Sequence, residues 1–206
     1  MSIIKLNNRA VKDVSAFGSI TGLGNLTFIK KQTASSSASV SFVDGSSGVV
    51  LDNTYKEYIF YFLNLHTSAN STGFKFKPSI NGGSSYGVAT TTTSFMAEQS
   101  ESSNDPFLGY RTGNDHAQDT GSIFISENFG NDNDQSGSGI MRLFNPSDTT
   151  FVKHFLVEMH SSHSADYLDH CFVGGYINST SAVNGIQFLF DSGNIDSGDI
   201  LLFGLK

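Results

Sequence analysis

The densest chemistry in the chain lies in "MHSSHSADYLDHC". His160, His163 and His170 stand there with Asp166, Asp169 and Cys171, so imidazole nitrogens, carboxylate oxygens and a thiol fall within about a dozen residues. Donors of these kinds suit a transition metal or a proton relay. Their spacing matches no zinc signature, and the plainer reading is a polar loop joining two strands whose ends carry His160 and His170. Clustered histidines titrate near neutrality, which would let pH tune a subunit contact.

"NDNDQSG" opens like a calcium loop, with oxygen donors at Asp132, Asp134 and Ser136 and a turn glycine at Gly137. The twelfth position of such a loop needs a bidentate glutamate, and Leu143 stands there, which excludes an EF-hand. A plainer calcium site of a β-sandwich stays open for Asp132 and Asp134, beside ordinary turn chemistry. No nucleophile elbow, H-E-x-x-H, P-loop or dinucleotide fingerprint occurs. A glycosidase would need two carboxylates flanking a groove, and Glu57 and Glu158 lie in strand-like stretches where a solvated face explains them equally well. The expectation is therefore a protein that is not an enzyme, with no resident metal and no cofactor.

Four aromatic residues remain as candidate ligand contacts. Tyr86 follows "NGGSS", Phe107 and Tyr110 lie in "DPFLGYRTG", and Tyr167 lies in "ADYLDH". Read as loop residues, their rings could stack on a sugar while neighbouring Asn and Asp bond its hydroxyls. Equally, they could plug the end of a sandwich or bury at an interface.

The elements that must carry these residues are strands. Eighteen Phe and seven Tyr against no Trp, in a background of Ser, Thr, Asn and Gly, is a balance of aromatics for pleated faces and small polar residues for turns. "ASVSFVD" puts Ala38, Val40 and Phe42 on one face; "GFKFKP" sets Phe74 and Phe76 against Lys75 and Lys77; "GIQFLFD" groups Ile186, Phe188 and Phe190. "YKEYIFYFLNLH" is apolar on both faces, with Ile59, Tyr61, Leu63 and Leu65 in one phase and Tyr58, Phe60 and Phe62 in the other. "TTFVKHFLVEMH" sets Phe155, Val157 and Met159 against His154, Glu158 and His160. Dense turn signals separate these runs, no helical stripe stands out beyond one turn at "VKDVSAF", and "MAEQSESSNDP" reads as an exposed loop. The expected fold is all-β: an antiparallel β-sandwich, jelly-roll-like, with residues 1–206 as a single domain.

A net charge of −7 with isolated lysines argues against nucleic acid as a partner. The longest apolar run, "YIFYFLNL", is far below the roughly 18 residues of a membrane helix, so no membrane insertion is expected. With Cys171 as the one cysteine, no intrachain disulfide can form.

The opening "SIIKLNNRAVKDVSAFGSITGLGNLTFIKKQTASSSASVSFVDG", the central "LFNPSDTTFVKHF" and the close "GIQFLFDSGNIDSGDILLFGLK" resemble the virion-associated β-rich proteins of marine tailed bacteriophages, many of which end in an apolar–Tyr/Phe–Gly–apolar strand. Phe203 takes the aromatic place here. The resemblance implies a non-catalytic virion structural protein, assembled in the host cytoplasm, most readily a capsid decoration or surface protein. The alternative is the receptor-binding, glycan-binding head of a tail fibre or spike. Decoration is favoured because no coiled-coil or β-helical shaft precedes strand-like "SIIKL". Implied partners are copies of itself, as a homotrimer, other virion proteins such as the major capsid protein, and a host surface glycan. Surplus apolar strand surface is covered economically by symmetric closure.

The apolar run Ile200–Leu205 needs cover on both sides, which predicts an interior strand paired along both edges. Deletion of residues 200–206 should abolish soluble expression, and a truncate with the native far-UV spectrum would refute that placement.

Overall fold

The computed structural model describes residues 26–206. In chain order the strands are β1 (Leu26–Thr33), β2 (Val40–Val43), β3 (Glu57–Thr67), β4 (Thr72–Ser79), β5 (Thr90–Ser100), β6 (Pro106–Tyr110) and β7 (Ala117–Asp119). They continue with β8 (Ile123–Phe129), β9 (Gly137–Phe144), β10 (Lys153–Ser162), β11 (Tyr167–Ile177), β12 (Gly185–Phe190) and β13 (Ile195–Leu205). No helix occurs among the described residues, so none there is long and apolar enough to cross a membrane. The stretches "SIIKL" and "VKDVSAF" lie outside the described residues.

All pairings are antiparallel and form two sheets. The larger runs β1-β13-β3-β9-β10-β11-β5-β6, with β7 also on β5, and the smaller runs β2-β12-β4-β8. Strands β1-β13-β3-β9 and β2-β12-β4-β8 have the order of a jelly roll. Two excursions depart from it: β5 to β7 between β4 and β8, and β10 with β11 between β9 and β12. Both add strands beyond β9, so the larger sheet overhangs the smaller one on that side. The terminal apolar run lies inside β13, between β1 and β3, paired on both edges as its hydrophobicity demands.

Alternation sets which side chains enter the core. In β10, Phe155, Val157 and Met159 are buried while His154, Leu156, Glu158 and His160 face out. Phe74 and Phe76 of β4 and Ile186, Phe188 and Phe190 of β12 point inward as expected. Ala38 precedes β2 and is exposed, leaving Val40 and Phe42 to the core.

Two expectations fail for local reasons. Leu65 leaves the phase of Leu63 and joins Tyr58, Phe60 and Phe62 in the core, in the place that strict alternation gives to Asn64, because β3 bulges: Phe62 pairs with Gly139 but Leu65 with Gly137, leaving one extra residue in β3. Asn64 takes a φ of 49° at that bulge, and Gly198 lies so close that a Cβ there would meet the Asn64 carbonyl at 2.6 Å. In "MAEQSESSNDP", Met96 to Ser100 complete β5 and Met96 is fully buried, so only residues 101–105 form the loop.

Phe188 sits at the centre of the sandwich. Its ring packs against Phe42, Phe60, Phe62, Phe74 and Phe76 with centroid separations from 5.1 to 6.4 Å, most of them edge to face. Edge-to-face pairs add stabilisation beyond buried area, and a cavity here would be ringed by stiff neighbours that cannot collapse into it. Phe188→Ala should cost about 3–5 kcal/mol in urea unfolding, while Lys77→Ala on the outward phase of β4 should stay within about 0.5 kcal/mol.

Candidate functional site

Where the larger sheet overhangs, the core changes character. The inward phase of β5 carries Thr90, Thr92, Ser94, Met96, Glu98 and Ser100, a face too polar to pack as hydrocarbon. After β6 the chain turns back: Arg111 N–H donates to the Ser94 carbonyl at 2.9 Å, and His116 bonds Thr92 and Thr90. Arg111 then reaches under the sheet to Glu127 of β8, donating Nε to Oε1 at 2.8 Å and Nη2 to Oε2 at 2.6 Å. This two-pronged bond, joined by Asn114 on the same carboxylate, ties the edge of one sheet to the other.

A row of paired residues crosses the inner face here, running Ser161, Asp169, Glu98 and Phe107 on β10, β11, β5 and β6. Ser161 bonds Ser126 of β8 at 2.8 Å. Asp169 is fully buried, and neither of its carboxylate oxygens has a hydrogen-bond partner. Burial, reinforced by Glu98 and Glu127 and opposed by Arg111, pushes its carboxyl up to about 7. The neighbouring Cys171 thiol, also buried, is pushed up to about 12.

Beside this row opens a cleft of about 320 Å³ lined by Glu98, Asp105, Pro106, Phe107, His163 and Tyr167. It brings together two of the four aromatic candidates, Phe107 and Tyr167, and adds Glu98 and His163. The His163 ring lies tilted against Tyr167 at 5.6 Å between centroids, and burial holds its imidazole below the ordinary value. Phe107 and Tyr110 lie on β6 and Tyr167 on β11, so these rings are strand residues, held more rigidly than the expected loops would hold them. Tyr110 faces the other side of β6 and bonds Asp115 at 2.7 Å, next to a smaller pocket with Arg111, Asn114 and Glu127. Tyr86 folds over the turn at Gly83, before the opposite end of β5. Glu98, the β5 residue of the cleft, lies eight residues along the strand from Thr90, about 26 Å, so Tyr86 near the Thr90 end stands apart from the cleft.

The histidine-rich stretch is divided between faces. His160 and His170 pair directly across β10 and β11 on the outer face, their rings stacked at 3.8 Å, with Glu158 beside them. Asp169 and Cys171 point inward, His163 lines the cleft, and Asp166 is exposed in the turn. Asp134 lines a polar groove with Asn64, His66, Gln135 and Asp196, whereas the Asp132 carbonyl accepts from Gln135 N–H at 2.9 Å and bonds His66 Nε2 at 3.2 Å. Among the described residues no third carboxylate or imidazole joins Asp132 and Asp134 at ligand distance.

Sequence reasoning missed Glu98, Arg111 and Glu127. Only the pairing of β5 with β11 and the reach of Arg111 to β8 bring them together, although strict alternation within "YLDHC" already separates Asp169 and Cys171 from His170. Compared with known proteins, the chain matches no family model, no curated protein and no solved structure.

Asp169 gives the fold a pH dependence of definite sign. Its carboxyl keeps a proton in the fold up to about 7 but loses it near 3.8 in the unfolded chain. Between those values the folded state binds more protons, so stability falls as pH rises, by as much as about 4 kcal/mol, and levels off above pH 7. Thermal melting from pH 4.5 to 8 should show this decline in the native protein, and Asp169→Asn should abolish it, leaving a profile that does not fall across that range.

Proposed function

We infer that the protein is a non-catalytic structural component of a tailed-bacteriophage particle, a capsid decoration or surface protein that associates with copies of itself and with the shell. The observation that carries this reading is the outer face of the larger sheet. Leu156, Leu168, Phe95, Leu108 and Tyr110 stand exposed across β10, β11, β5 and β6, and Phe28 with Leu63 on the far side. Phe95 stacks on Phe172 at 4.8 Å, and Phe203 contacts both Phe28 and Tyr61 edge to face. So much apolar area along one sheet marks an interaction surface. A jelly roll is a fold that viral shells use repeatedly, and the resemblance of both ends and the centre of the chain to phage virion proteins points the same way. Threefold closure would cover the outer face without leaving open ends.

A second reading, a glycan-binding receptor head, is favoured by the cleft that gathers Phe107, Tyr167, Glu98 and Asp105. Rings on rigid strands beside carboxylate acceptors are the chemistry that holds a sugar.

Light scattering on the full chain should give a mass of three 22.2 kDa subunits, and Leu156→Glu, at a half-exposed position, should yield folded monomers. Labelled particles should carry the protein in many copies over the head. A monomeric native protein found in few copies at the tail would overturn the decoration reading; sugar binding on a glycan array, lost in Phe107→Ala and Tyr167→Ala, would then establish the receptor head.

A further inference from the structure

The outer face holds a second arrangement that the structural reading does not use. Glu158 and His160 are alternate residues of β10, so both point away from the core, and His170 of β11 is the direct cross-strand partner of His160. Among the described residues these form the one group of three potential ligands whose atoms all lie within 4.8 Å of each other.

We propose that Glu158, His160 and His170 form a binding site for a divalent transition-metal ion of the zinc class, held by two imidazole nitrogens and one carboxylate oxygen with a fourth position open to solvent. The donor set is that of sites with three protein ligands and one exchangeable position. Glu158 Oε1 lies 3.0 Å from His170 Nε2 and 3.9 Å from His160 Nε2. Tetrahedral bonds of 2.0–2.1 Å place neighbouring donors about 3.3 Å apart, a value between these two separations. Small side-chain rotations therefore suffice to place an ion where His170 Nε2 now hydrogen-bonds Glu158 Oε1.

The surroundings favour the site in two ways. The His170 ring is held between Phe172, at 4.0 Å, and His160, at 3.8 Å, so its orientation is fixed before any ion arrives. The side chains of Glu158 and His160 are about half exposed, which provides a path of entry. Two nitrogens and a single carboxylate discriminate against calcium and magnesium, which require several oxygens.

Isothermal titration of the full chain with zinc chloride in chelator-treated buffer tests this. One ion per chain with micromolar affinity is expected, with no heat from calcium chloride. His160→Ala, His170→Ala and Glu158→Gln should each weaken binding at least tenfold, while His154→Ala, on the same strand, should leave it unchanged. All four positions are on the outer face, and an unaltered far-UV spectrum and melting midpoint will separate loss of ligand from loss of fold. Cobalt should give the visible absorption of a tetrahedral complex with the native chain and not with the His160→Ala/His170→Ala variant. Absence of saturable zinc binding, or native affinity in that double variant, would overturn the proposal.

Discussion

The phenylalanine rings packed around Phe188 fix the spacing and alignment of two sheets that are unequal in width, and the rest of the molecule is organised by that inequality. Phe42 on β2, Phe60 and Phe62 on β3, and Phe74 and Phe76 on β4 all meet the one ring from β12. The contact surface is therefore centred on the jelly-roll strands and cannot slide toward β5 or β6. A smaller sheet of four strands held in that position leaves β5, β6 and the first half of β11 without an apolar partner layer, while Val173 and Ile177 further along β11 still join the core. Polar side chains must then close the gap, and each must find a hydrogen-bond partner or cost the fold stability.

Most of them do find one. Ser126 meets Ser161, Thr90 and Thr92 meet His116, and the Arg111 guanidinium meets Glu127 in a planar, two-bond geometry that a lysine could not reproduce. Removing one partner of that pair would strand a charge beside Asp169, so the pair acts as a clamp whose halves depend on each other. Asp169 is the exception, with both oxygens unpartnered. The fold accommodates it by shifting the equilibrium toward the protonated acid, which exchanges a buried charge for a buried neutral group. The overhang is thus the part of the sandwich that responds to pH, and the phenylalanine layer is the part that does not.

The sequence makes the strand class and much of the inward set legible because alternation is a local property. Phe155, Val157, Met159, Ile186, Phe188 and Phe190 are each placed correctly by parity alone. Parity fails at Leu65 because a bulge adds a residue without altering composition, and no residue in "FLNLH" marks that insertion except an asparagine able to adopt positive φ. β5 is hard to see for a different reason: "TTTTSFMAEQS" faces a polar layer, so its inward phase lacks the hydrophobicity by which a strand is recognised. The cleft is less legible still. Phe107 and Tyr167 stand 60 residues apart in the chain and meet only through their separate pairings to β5. Glu98 and Arg111 acquire their roles from partners that no spacing rule connects.

Strand β11 shows how the same alternation separates functions. Leu168, His170 and Phe172 face outward, where a neighbouring subunit or an ion would meet them, while Asp169 and Cys171 lie sealed between the sheets. The thiol bonds weakly to Ser126 and, with its proton held up to about 12, presents no thiolate to an oxidant. A covalent link between protomers through the chain's one cysteine is thereby closed off, in reducing and oxidising surroundings alike. Any association of this molecule would rest on non-covalent contacts of its surface, and the outer face of the larger sheet concentrates the aromatic and aliphatic side chains able to make them. At the two edges of that sheet among the described strands, β6 and β1, strand-to-strand growth is discouraged. β6 is only five residues long and starts with a proline, and β1 carries Lys30 and Lys31. With both described edges blunted and the thiol buried, the proposed self-association would have to pack face to face.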